Sequence, residues 1–211
     1  MATLNAVGQN QFIGVKGSVN LTNISSSDIR NTDYRTGLSS GITYEYLFGK
    51  HYSLGADIIY NQRGFRDYLT LTDNTGNPTG EKAIYKYNYD YLSIPIKTGF
   101  NIGNTFYSFA NIGLIPSILV NAKTFLPPFD INAKVGGSDV IDLTNKVTKF
   151  DLAGLIEIGG GYKFKNRYWL FSSIGYQQSI TTITNSEYFA NSKIRHNGMN
   201  LTVGMKYALS K

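Results

Sequence analysis

The 211-residue chain contains no cysteine. That excludes a disulfide framework, a thiolate metal site and a cysteine nucleophile. Charge is scarce: Asp, Glu, Lys and Arg make up 16% of the residues, against roughly 25% in soluble domains. A surface in water needs more charge than this, whereas a surface covered by lipid does not. Long apolar runs are missing too. No stretch approaches the roughly 20 residues of a transmembrane helix, so a chain of this sequence that enters a membrane has to cross it with strands. Only helices and closed barrels satisfy every backbone N–H and C=O inside lipid. There is no run of Lys or Arg and no nucleic-acid motif, so nucleic acid is not an expected partner in spite of the net charge of +6. That charge reflects either loop composition or attraction to membrane phosphates. No acidic residues fall at calcium-loop spacing. The Asp73-Asn74-Thr75-Gly76-Asn77 segment reads as a turn, and neither a metal nor a cofactor is expected.

What is abundant is tyrosine, phenylalanine and glycine, at 16, 12 and 22 residues, set in alternating patterns. Successive side chains of a strand face opposite sides, and a barrel in lipid reads apolar-out and polar-or-small-in. Eight segments fit: Phe12–Leu21, Gly37–Phe48, Tyr52–Phe65, Tyr85–Phe100, Thr105–Val120, Thr148–Phe164, Tyr168–Thr182 and Gly198–Leu209. The last shows the pattern best, with Met199, Leu201, Val203, Met205, Tyr207 and Leu209 against Asn200, Thr202, Gly204, Lys206 and Ala208. The fifth is apolar on both faces, and Trp169 and Phe171 blur the seventh. Pro95 interrupts the fourth, because proline cannot donate to a ladder.

The connections alternate in length. Gly49-Lys50-His51, Asn101 to Asn104 and Lys165-Asn166-Arg167 are tight turns, while residues 22–36, 66–84, 121–147 and 183–197 are long polar links. This pattern predicts an all-β fold: an eight-stranded antiparallel up-and-down transmembrane β-barrel with short periplasmic turns and long extracellular loops. The expected organisation is one barrel domain over residues 11–211. Residues 1–10 precede it as a residual export signal or disordered N-terminus, given the small-x-small spacing of Ala6 and Gly8. The expected location is the outer membrane of a Gram-negative bacterium.

Aromatic residues flank all three tight turns: Tyr44, Tyr46, Phe48 and Tyr52; Phe100 and Tyr107; Tyr162, Phe164, Tyr168 and Trp169. They are expected to form a girdle at the periplasmic interface. The same alternation turns Lys16, Glu45, Asp57, Arg63, Lys97, Asp151, Glu157, Lys163 and Lys206 inward. An eight-stranded barrel is only wide enough for side chains, and unpaired charges in it would be costly, so a paired plug is expected. A narrow polar channel or a small ligand site is the other reading. Among the links, Phe125, Leu126, Pro127, Pro128 and Phe129 form an apolar segment that either docks against a partner or folds over the barrel mouth. His196, with Ser179, Ser186 and Glu187 near it in sequence, has no G-x-S-x-G elbow or ordered triad, so no enzyme activity is expected.

Three segments resemble the PorT-like outer-membrane β-barrel family of Bacteroidetes. They are Gln11-Phe12-Ile13-Gly14-Val15-Lys16-Gly17, Tyr91-Leu92-Ser93-Ile94-Pro95-Ile96-Lys97, and Asp151-Leu152-Ala153-Gly154 with the following Gly159-Gly160-Gly161-Tyr162. The resemblance implies an eight-stranded barrel inserted by the outer-membrane assembly machinery, and it accounts for Pro95. Such barrels usually end on an aromatic residue; here Tyr207 and Leu209 would take that part, followed by Ser210 and Lys211. Some members are tied to type IX secretion. The expected partners are outer-membrane lipid, lipopolysaccharide and possible envelope proteins, reached through the long loops. A soluble lipocalin-like barrel is the third alternative; it would invert the pattern, with apolar residues inside.

Overall fold

The structure is a computed structural model that describes residues 10–29, 31–127, 139–165, 167–185, 188–189 and 192–209. Residues 1–9 of the expected N-terminal segment 1–10, together with Pro128, Phe129, Ser186 and Glu187, lie outside the described residues. The described residues form ten strands: β1 (Asn10–Ser25), β2 (Thr32–Phe48), β3 (Tyr52–Thr72), β4 (Pro78–Ser93), β5 (Ile96–Gly103), β6 (Phe106–Phe125), β7 (Val140–Asp142), β8 (Phe150–Phe164), β9 (Tyr168–Ser179) and β10 (Arg195–Ala208). All pair antiparallel, β2 pairs with β3, and β1 pairs with both β2 and β10, so the sheet closes on itself.

The wall has eight strands because β4 and β5 are one strand interrupted at Ile94-Pro95. Their register against β3 runs through the gap, with Ile59 opposite Ser93 and Ala56 opposite Ile96. Two ladder bonds are lost here, those that Pro95 and the facing Pro116 have no N–H to make. The Pro95 carbonyl still accepts from Asp57 N at 3.0 Å, and Ile94 N donates to the Pro116 carbonyl at 2.9 Å. The short strand β7 lies off the ring, paired to β6.

Apolar side chains cover the outside. Ile13, Val15, Leu54, Ile58, Leu92, Ile112, Ile156, Ile174, Leu201 and Val203 are exposed, while Glu45, Asp57, Arg63, Lys97, Asp151, Glu157 and Lys206 are buried on the opposite face of the wall. A soluble ligand-binding barrel has the reverse arrangement, so that alternative falls. From Met199 to Leu209 the outward residues of β10 span about 25 Å along the barrel axis, at about 3.3 Å per residue and about 40° of tilt, which is the height of a lipid belt.

Several strands run beyond the lengths expected from alternation, so the long links are shorter than the sequence suggests. The β3–β4 hairpin continues to a tip at residues 73–77. The tip is tied by Asp73, whose carboxylate accepts from Thr75 N at 2.8 Å, Thr75 Oγ1 at 2.6 Å and Asn77 N at 2.9 Å.

Candidate functional site: the enclosed lumen

The inward residues stack in three layers. The periplasmic layer is aromatic: Phe12, Leu47, Tyr107, Phe109, Trp169, Phe171 and Ala208. Ring centroids of Trp169 lie 4.4 Å from Phe12 and 4.9 Å from Tyr107. Tyr107 and Trp169 therefore correct the girdle expectation, since they are 4% and 7% exposed and point inward. Glycines on the neighbouring strands make the space. A Cβ on Gly161 would come within 2.7 Å of the Tyr107 ring, one on Gly159 within 2.5 Å of Phe109, and one on Gly204 within 2.5 Å of Phe171. Such inward rings need sockets because the lumen of eight strands is narrow. Tyr44, Phe48, Tyr52, Phe100, Tyr162, Phe164 and Tyr168 are exposed on the outer wall. Tyr46, half-buried, shares their face of β2.

The middle layer is ionic. Lys16 bonds Asp57, and Lys97 lies 3.1 Å from Asp57 and 3.6 Å from Glu157, giving a chain of four alternating charges. Glu157 also accepts from Asn111 at 2.8 Å and from Ser173 at 2.7 Å. Lys206 pairs with Glu45 at 2.6 Å. Above them Arg63 meets Asp151 at 2.5 Å and Ser117 at 3.2 Å, while Ser179 and Thr181 each donate to Asp151 at 2.9 Å. Buried charge is tolerable when paired and hydrogen-bonded, and here Lys16, Lys97, Lys206 and Arg63 balance Asp57, Glu157, Glu45 and Asp151.

Lys163, the ninth charge expected in the network, is not in it. It is half-exposed at the periplasmic mouth, with its ammonium 4.1 Å above the Trp169 ring, and it has no ion pair among the described residues. Between the pairs lies one small polar cavity of ≈ 30 Å³, lined among others by Lys16, Asn61, Glu157 and Gln177. That is room for about one or two waters.

The extracellular layer is apolar again. Ile24, Phe65, Tyr89, Tyr91, Leu119 and Ala122 from the wall meet Leu143, Val147, Ile183, Tyr188 and Ile194 from the segments beyond it. The loop side is tied by a mixed set of backbone and side-chain bonds, among them Leu143 N to Ala122 O at 2.8 Å, Ile183 N to Ile194 O at 3.0 Å, Thr148 N to Ile183 O at 3.1 Å, Thr182 Oγ1 to Ile194 O at 3.0 Å and the Tyr89–Tyr188 hydroxyl pair at 2.6 Å. Burial pushes the Tyr188 hydroxyl above its ordinary range, which keeps it protonated in that pair. The sequence offers a loop folded over the mouth as one of two readings of the 125–129 segment, but it does not name the members of the cap, because alternation says nothing about loops.

The His196 ring is buried beneath the cap, 5.0 Å from Tyr89 and 6.0 Å from Tyr91, and no hydroxyl bonds either ring nitrogen among the described residues. Ser179 instead donates to Asp151. Of the apolar loop segment, Phe125 is partly exposed at the end of β6, but Leu126 and Pro127 are buried, which favours the folded-over reading over the docking one for these two. Leu126 N bonds Asp139 O at 2.8 Å. Leu126 lines a rim groove of ≈ 310 Å³ with Tyr85, Tyr87, Tyr188 and Phe189.

A family described as "Outer membrane protein beta-barrel domain" matches residues 7–185. The solved structure of Neisserial surface protein A has a similar fold, with a TM-score of 0.52, 13% identity, and coverage of 94% of this chain and 97% of that one. The outer membrane protein OprG from Pseudomonas aeruginosa aligns at 0.46 and 12%, over 95% and 96% of the two chains. Outer Membrane Protein W of E. coli aligns at 0.47 and 12%, over 96% and 98%. No curated protein matches the chain in sequence. The lipid-facing wall and the family match place the chain in the outer membrane of a Gram-negative bacterium.

Proposed function

Because the chain belongs to the outer membrane protein beta-barrel domain family, we propose that it is a non-enzymatic structural or interaction protein, working through its extracellular loops while its lumen stays shut. The observation that carries this reading is the sealed interior. An aromatic layer and an apolar cap close the two ends, and the charged middle is neutral and leaves about 30 Å³. A barrel filled in this way has its exposed extracellular surface left to act with. The partners it fits are lipopolysaccharide or another envelope protein. The finer kinship to the PorT-like barrels rests on Tyr91-Leu92-Ser93-Ile94-Pro95, whose proline interrupts the wall strand.

A second reading, a narrow conduit for a small solute, draws on the continuous polar column from Lys16 to Arg63. Planar-bilayer recording separates the two. The purified full chain is expected to leave the bilayer silent, and discrete, reproducible current steps would replace the loop reading with the conduit.

A further inference from the structure

The 14 acidic residues are unevenly placed. None falls in the turn segments 47–52, 101–107 and 163–169 or in 206–211, whereas Lys50, Lys163, Lys165 and Arg167 all do. The periplasmic rim is therefore cationic without a counter-charge from its own turns. Two of these cations do not point away from the membrane. The Lys165 ammonium rests 5.2 Å over the Phe164 ring, and Arg167 Nη1 donates to the Tyr207 hydroxyl at 3.0 Å. Phe164 is exposed on the lipid-facing wall, and the Tyr207 ring lies 5.2 Å from that of Tyr168, which is exposed there too. Both charges are thus laid sideways at the level of the rings, where a bilayer has its headgroups. Neither has an ion pair among the described residues.

The turn backbone adds a second observation. Each tight turn has a residue in the left-handed region: Gly49 at φ 70°, Gly103 at φ 104° and Lys165 at φ 49°. Glycine adopts this conformation at no steric cost and lysine does not. Strain held at one side chain where a glycine would relieve it points to a use for that side chain.

We propose that the β8–β9 turn is a headgroup site for anionic phospholipid of the inner leaflet. Lys165 and Arg167 hold the phosphodiester from two sides, and Phe164, Tyr168 and Tyr207 flank it. The arginine fork suits two phosphate oxygens, and the lysine supplies a point charge. The site does not depend on what the extracellular loops bind.

The test uses the full chain in vesicles of phosphatidylcholine alone or mixed with phosphatidylglycerol, with lipid retained after detergent extraction counted by native mass spectrometry. Wild type is expected to retain phosphatidylglycerol over phosphatidylcholine. The Lys165→Gln/Arg167→Gln variant is expected to lose that preference by about fivefold for each charge removed. Lys165→Gly relieves the turn, so it should keep the gel shift of a folded barrel while losing its share of the preference. Equal retention of the two lipids by wild type, or an unchanged preference in both variants, overturns the proposal. So does displacement of phosphatidylglycerol by inorganic phosphate at equal concentration, which would make the site one for a free anion. Loss of binding to peptidoglycan sacculi in the variants, with lipid preference intact, assigns the cations to the cell wall instead.

Discussion

The lumen is closed by two apolar plugs made in different ways. At the periplasmic end every member sits on a wall strand, and each of three inward rings fills the space left by a glycine on the strand beside or across from it. At the extracellular end about half the members come from segments between strands, held by backbone and side-chain bonds outside the ladder and by one tyrosine pair. Ladder register fixes the first, so it opens only if the barrel does. The second can loosen locally, because its loop segments lie outside the closed sheet and their bonds are not fixed by the ladder. Any change of state in this molecule therefore starts on the extracellular side.

The largest expected effect comes from the layer between the plugs. Asp151→Ala leaves Arg63, 0% exposed, without its carboxylate, which should cost about 3–5 kcal/mol. Urea unfolding in lipid measures it, and a loss below about 1 kcal/mol would mean that Ser117 and the Tyr91 ring, whose centroid lies 4.9 Å from the guanidinium carbon, suffice. Next is Gly161→Val, which drives a side chain into the Tyr107 ring and should cost about 1–3 kcal/mol over the whole barrel. If only the loops loosened, the strand-built plug would not be the rigid one. Tyr188→Phe removes a hydroxyl pair from the cap and should cost about 1 kcal/mol. Faster amide exchange is expected in residues 143–147 and 183–194, with the strands unaffected. Uniformly faster exchange would erase the difference between the two ends.

The smallest effect lies at the hairpin tip. The Thr75 hydroxyl, then the backbone N–H groups of Asn77 and Thr75, hold the Asp73 carboxyl below its ordinary value of 3.8. A depressed carboxylate contributes order above its unfolded value and loses it as pH falls through its folded one. The Thr75 and Asn77 amide resonances should therefore move only below the usual Asp range, and a transition at or above it would break the argument.

The wall was readable in the sequence because lipid outside and a narrow lumen inside enforce strict alternation, as along β10. Alternation failed where both faces are large and apolar. Tyr107 on β6 resembles a girdle residue until the inward Gly161 is seen as the socket for its ring, and Trp169 on β9 until its packing on Phe12 and Tyr107 is seen. Lys163 could have been singled out by counting, since five inward cations faced four acids. A cap was legible only as one of two readings of the Phe125 segment, and its members were out of reach because Leu143, Ile183 and Tyr188 belong to segments with no period. The Pro95 interruption was visible, but its harmlessness was not, since that depends on β3 keeping register on both sides of the gap.

The neutral middle layer bears on voltage. An electric field across a membrane does work on a protein in proportion to the net charge it can displace. The eight ionised groups in that layer cancel and are cross-linked, Asp57 between two lysines and Asp151 to Arg63. A field that pushes one member of a pair pulls on the other. Potential differences across the membrane therefore find almost no handle on this interior, and the barrel behaves towards them as an insulator.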